Sequence, residues 1–303
     1  MSEKTTVKCR EPNFFIVGAS RSGTTSLANY LGQHSDIYMS PVKEPSYFIK
    51  DYPVTVQNYS EYLSLFKDAG NARAIGEAST GYLFDPDAAQ AIHERFQDAK
   101  IIIILRNPID MAASLWRYLV LNGNETKSFE DAITPKEREY RKTEEFKKSC
   151  ASWIWYPAYQ YVERALYFNQ VESYIKIFGR DRVRIYIFEN FARSPVKICQ
   201  DIFTFLGVDN TFIPVVKILN ESGDLRFPTI KKLTDRLYTV LQPLLPLGLI
   251  LKLGKLRRAI ITDKQKKALI NPSTRKVMEA LFRDDIVKLE SLLGHEIREW
   301  KTG

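Results

Sequence analysis

Gly18 and Gly23 stand five residues apart in VGASRSGTTSL, and Thr24 and Thr25 follow the second glycine. This spacing belongs to loops whose backbone N–H groups cradle a phosphate. Thr24 occupies the place where a nucleoside-triphosphate loop carries its lysine. A cation survives inside the loop as Arg21. The glycines let the backbone approach an anion, and a helix N-terminus adds about half a positive charge. The segment therefore predicts an anionic ligand held by amides, hydroxyls and one guanidinium.

A second cluster closes the apolar run KIIIIL, where Arg106 and Asn107 follow residue 105. A nucleotide triphosphatase places a magnesium-holding acid at the end of such a strand. A cation there predicts a second anionic group instead. Ser114 lies eight residues on, about two helical turns, and is placed to share that group's oxygens. Asp110 falls in a first helical turn, where an acid is favoured without any metal. Two anion sites and no evident metal acid predict a ligand with two separated phosphates.

Such residues need a rigid frame. Residues 14–18 form a short apolar run bounded by glycine, and a helical pattern starts at Gly23 with Leu27, Tyr30 and Leu31 on one face. Residues 73–77 predict a second strand, 86–97 a helix, and 100–106 a buried parallel strand. Pro108 opens the next helix. Residues 125–149 are crowded with mixed charge and predict solvated helix and loop. Residues 157–178 read as one long helix, 182–191 as an alternating strand, and a helix ends at Gly207. A last helix is expected at about 273–293. Strands alternating with helices predict an α/β fold, a central parallel sheet flanked by helices in three layers. With no repeat or linker evident, residues 1–303 read as a single domain, its helical part from about 229 to 303 forming a lid or acceptor wall. The apolar stretch 244–251, broken by Pro246 and Gly248, belongs to that part.

The chain has 303 residues and a net charge of +8. That charge suits a polyanionic ligand or simply a basic surface, and no nucleic-acid-reading motif accompanies it. Cys9, Cys150 and Cys199 are far apart and lack metal-ligand spacing, so a reducing compartment is expected. No stretch approaches the roughly 18 apolar residues of a membrane span. A cytoplasmic protein without stable membrane insertion, monomer or homodimer, is the expectation.

The motifs together resemble the sulfotransferase family that uses 3′-phosphoadenosine 5′-phosphosulfate (PAPS), in its bacterial branch. VGASRSGTTSL is similar to the family's 5′-phosphosulfate loop and ILRNPIDMAASLWRY to its 3′-phosphate motif. The family usually has lysine where this chain has Arg21. SPVKEPSYF resembles the segment carrying the catalytic glutamate, and GEASTGYLF the segment after it. NESGDLRFP, 220–228, is similar to the late loop that closes over the 3′-phosphate.

The resemblance implies a P-loop-like sulfotransferase fold and in-line sulfuryl transfer, leaving 3′,5′-diphosphoadenosine (PAP), with no metal. It implies cofactor binding by Ser20, Arg21, Ser22, Gly23, Thr24, Thr25, Ser26, Arg106, Ser114, Leu225 and Arg226. It makes Glu44 the general base, with Lys43 and Arg21 beside the reacting group. Acceptor contacts are expected from His34, Glu77, Tyr82, Trp153 and Tyr156, although the aromatic cluster 153–161 reads first as core. Ala78 stands where glycan-modifying members often have lysine, which favours a small-molecule acceptor over a polysaccharide or lipid. Two rivals stay open: a small-molecule P-loop kinase and a non-catalytic polyanion-binding module.

Overall fold

The computed structural model of the chain describes residues 10–52, 56, 58–150, 154–217, 224–225, 262–263 and 270–301. Five parallel strands form one sheet: β1 (Phe14–Gly18), β2 (Ile37–Met39), β3 (Ala74–Ala78), β4 (Lys100–Leu105) and β5 (Val183–Ile187), in the order β2-β3-β1-β4-β5. β1, β3 and β4 are almost wholly buried because helices cover both faces. This is why β1 and β4 read as continuous apolar runs.

Side chains alternate between two cores. Phe15, Val17, Ile101 and Ile103 face α3 (Ala88–Arg95), α4 (Pro108–Leu121) and α8 (Phe168–Phe178). Phe14, Ile16, Ile102 and Ile104 face α1 (Thr24–Leu31) and α10 (Pro195–Leu206). So α1 leaves β1 toward one face, while α3 and α4 leave the flanking strands toward the other. A crevice opens at such a switch point, beyond the carboxyl ends of the strands. Gly18, Ala78 and Leu105 all end there. The expected three-layer α/β sandwich is what the chain forms.

Several elements depart from the sequence reading. Residues 157–178 are not one helix. Two 3₁₀ turns, Tyr156–Tyr159 and Glu163–Ala165, precede α8. Asp285, on the long helix Pro272–Leu293, accepts the Tyr167 N–H at 2.7 Å and so starts α8 from outside. β5 stops at Ile187, opposite Leu105, and the chain turns into α9 (Phe188–Arg193). The charged stretch 125–149 folds as α5 (Phe129–Ala132), α6 (Pro135–Tyr140) and α7 (Glu144–Ser149). It is only partly solvated, since Arg141 is 2 % exposed and pairs with buried Glu125 at 2.8 Å. β2 and α2 (Tyr59–Ser64) were not anticipated. The long helix buries Met278, Phe282 and Leu289 in the α4–α8 core, so this part of the C-terminal region is core, not lid. The stretch 244–251 lies outside the described residues.

Candidate active site

The loop between β1 and α1 takes its shape from two positions. A Cβ on Gly18 would meet the Leu83 side chain at 2.6 Å, and Gly23 has φ +83°. Either demand excludes a larger residue without strain. Gly23, at the N-cap of α1, has no side chain to cap it, and no acid sits in its first turn. Its leading amides are therefore left for an anion. Ser22 and Thr24 are buried in the loop, and the Ser22 hydroxyl donates to the Ser20 carbonyl at 3.3 Å.

Arg21 does not stay over its own loop. At φ +61° its chain turns toward α4, and its Nε donates to Ser114 Oγ at 3.3 Å. Its guanidinium lies 5.0 Å from the Tyr118 ring. Arg106 Nη1 donates to the Arg21 carbonyl at 3.1 Å. The two anion sites read from the sequence are thus one continuous cationic surface. Burial lowers the Arg106 pKa, which Asp110 and Glu189 partly oppose. Its Nε is buried and has no hydrogen-bond partner among the described residues. Such a buried donor calls for an acceptor. Asn107 Oδ1 accepts the N–H groups of Ile109 and Asp110, starting α4 beside Arg106. Asp110 pairs with Arg275 at 3.0 Å.

Across the loop, Glu44 accepts Lys43 Nζ at 2.5 Å and the Thr80 hydroxyl at 3.2 Å, both on Oε1. Glu44 and Ser46 have φ +58° and +50°. Two bonds hold this unusual backbone: Glu44 N–H to the Ala78 carbonyl at 3.0 Å, and Ser46 N–H to Ser79 Oγ at 3.0 Å. Ser79 in turn donates to Glu77 at 2.6 Å. Beside Lys43 lies a cavity of about 360 Å³, lined by Thr25, Asn29, Gln33, Met39 and Val42 among others.

Glu77 is fully buried and accepts Tyr62, Tyr82 and Ser79. Burial pushes its pKa up to about 7 against the lowering effect of these bonds. Neither Glu77 nor Tyr82, also fully buried, reaches a surface an acceptor touches. They brace the Glu44 segment from beneath. His34 is likewise spent. Its Nδ1 accepts the Asp36 N–H at 3.0 Å, its Nε2 contacts the Asp209 carbonyl at 2.9 Å, and its ring packs between Phe203 and Phe212. Tyr156 is half-buried beneath Lys147. Trp153 and Arg226 lie outside the described residues, and of Leu225 only the backbone is described, paired with Thr262 in a two-stranded antiparallel sheet.

Sequence reasoning misses Arg164, which is buried against Ser20. Its position in ERALY, inside an apparent helix, resembles any helical arginine. Among the described residues no cluster of His, Cys, Asp and Glu suits a metal ion, and no helix is long and apolar enough to cross a membrane.

Comparison with known proteins bears on this geometry. A sulfotransferase from Alicyclobacillus acidocaldarius superposes with a TM-score of 0.72 at 32% identity, over 96% of this chain and 99% of that one. The membrane-associated sulfotransferase kil1 of Dictyostelium discoideum is 21% identical over 266 residues, covering 66% of this chain and 56% of that protein. The bifunctional heparan sulfate N-deacetylase/N-sulfotransferase 3 of Mus musculus is 23% identical over 303 residues, covering 96% of this chain and 31% of that protein. The chain thus spans about half the length of the first of these curated relatives and under a third of the second. The model of the sulfotransferase domain matches residues 11–283, from the strand before the glycine loop into the last helix, and on that match the chain belongs to the sulfotransferase family.

Proposed function

We propose that the protein moves a sulfuryl group from PAPS to a hydroxyl or amine of a small acceptor. The observation that carries this reading is the cationic surface joining Arg21, Arg106 and Ser114, with the buried Arg106 Nε lacking a partner among the described residues. These residues fit a ligand with two separated anionic groups. The loop amides, Ser22, Thr24 and Thr25 would hold the 5′ group, and Arg106 with Ser114 the 3′-phosphate. Ser20 and Ser26 flank the loop, and Leu225 and Arg226 would complete the 3′ side. When bound, PAPS supplies an activated sulfuryl group on a phosphate leaving group.

Glu44 is the general base of this reading. Both described bonds fall on Oε1, so Oε2 is left to accept the proton of the attacking group. Lys43 places a positive charge beside it. The cavity next to Lys43 has the size of a small-molecule pocket, and its wall mixes Met39 and Val42 with Asn29 and Gln33. This supports a compact acceptor, such as a natural product, rather than a long polysaccharide. The free thiols of Cys150 and Cys199 suit a cytoplasmic setting.

Incubation of host extract with enzyme and PAPS, followed by mass spectrometry for a gain of one sulfonate, is expected to reveal a small acceptor. Glu44→Gln should lower that turnover by about 10²–10⁴ and leave PAP affinity intact. Unchanged turnover would remove Glu44 from the mechanism. Magnesium-dependent binding of ATP without affinity for PAP would instead make the protein a kinase.

A further inference from the structure

Arg164 sits in the 3₁₀ turn Glu163–Ala165 and is 5 % exposed. Its guanidinium lies between the rings of Phe84, at 5.1 Å, and Trp155, at 5.0 Å. Gln170 Nε2 holds the turn through the carbonyls of Leu166, Glu163 and Arg164. Among the described residues Arg164 Nε and Nη1 have no hydrogen-bond partner, and no ion pair is formed. The one described hydrogen bond of the guanidinium runs from Nη2 to Ser20 Oγ at 2.5 Å. A buried cation without a carboxylate partner is costly, and packing alone would be served better by an apolar residue.

The bond to Ser20 sets a direction. A guanidinium only donates, so Ser20 Oγ accepts from Arg164 and must spend its own proton elsewhere. Thr80 Oγ1 lies 3.2 Å away. Thr80, accepting there, spends its proton on Glu44 Oε1, also at 3.2 Å. The chain ends on a carboxylate oxygen, which accepts and does not return a proton while ionised. The charged and ionisable groups near Glu44 are Lys43 and Tyr52 on its own segment, Glu77 on β3, and Arg164.

We propose that Arg164 is a positioning residue for the base: it imposes the donor order Arg164, Ser20, Thr80, Glu44 and thereby pins Glu44 Oε1, leaving Oε2 to take the acceptor's proton. This rests on Glu44 being the base. No bond is made or broken along the relay, and no proton leaves through it. Ser20 belongs to the glycine loop, so the loop that cradles the 5′ anion and the base share one set of hydroxyls.

The test uses Arg164→Met, which keeps bulk and removes every donor, and Thr80→Val, which removes the middle hydroxyl. PAPS breakdown with water as acceptor is followed by PAP release, and PAP binding by calorimetry. Each variant is expected to lose roughly 10²-fold in turnover, the cost of a misplaced catalytic group. PAP affinity should stay within about two-fold, and the double variant should lose little more than either single one. Crystals of Arg164→Met should show Glu44 Oε1 displaced from Thr80, a readout that does not depend on activity. Retained turnover, parallel loss of turnover and PAP affinity, additive losses, or an unmoved Glu44 would each overturn the proposal. Glu44→Gln separates the two levels. If it stays active, the base assignment is wrong; if it is inactive while Arg164→Met is not, only the relay is wrong.

Discussion

Single residues carry the anion chemistry, and their legibility differed with their surroundings. Arg106 was readable because an apolar strand ended in a cation, a pattern that needs no tertiary knowledge. Its Nε finds no partner among the described residues, so it should contribute directly to the cofactor's 3′ end. Arg106→Ala is expected to weaken PAP binding by roughly 1.5–3 kcal/mol, the size of a charge-assisted hydrogen bond. Adenosine 5′-phosphate, lacking the 3′ group, should bind wild type and variant alike. Calorimetry that shows equal loss for both ligands would move Arg106 out of the 3′ site. Arg21 was legible as a cation, but its reach to Ser114 was not. That reach depends on a left-handed backbone at 21, which a non-glycine residue adopts only when the surroundings impose it.

Elements show where local pattern stops being informative. The run 100–105 is buried on both faces, so its sequence states its structure. The run 157–178 has helical periodicity throughout, yet breaks into turns before α8 because Asp285, more than a hundred residues away, supplies the cap. The charged stretch 125–149 hid a buried pair for the same reason. Arg141 bonds Glu125, Glu137 and the Tyr159 carbonyl, and Tyr161 also donates to Glu125. α6 is tied to the core through these bonds. Arg141→Ala leaves Glu125 as an uncompensated buried charge and should cost about 3–5 kcal/mol in urea unfolding. Replacing both partners together, Arg141→Met with Glu125→Leu, should recover most of it. An Arg141→Ala variant as stable as wild type would show that water reaches the pair.

At the scale of the whole molecule, stability and site geometry meet at Glu77. This carboxyl titrates near 7 when folded because burial penalises its charge, against an ordinary 4.5. The folded state therefore holds a proton that the unfolded chain releases earlier. Its contribution is fully present below about pH 4.5 and is lost as pH rises through about 7, about 3 kcal/mol in all. Wild type should lose stability relative to Glu77→Gln between pH 5 and pH 8, read from urea midpoints of the two proteins. A constant difference across that range would mean Glu77 is ionised throughout. What the sequence by itself determined was the frame: the glycine loop, the buried strands and the cation at strand end follow from local spacing and residue type, while the segment bearing Glu44 stood out only by resemblance to the family. What only the tertiary structure decided was which polar groups meet. Glu77 and Tyr82 turned inward to brace the Glu44 segment, His34 was consumed by backbone partners, and Arg164 reached Ser20 from 144 residues away. Hydrogen bonding and desolvation depend on neighbours brought together by packing, and spacing along a chain does not encode them.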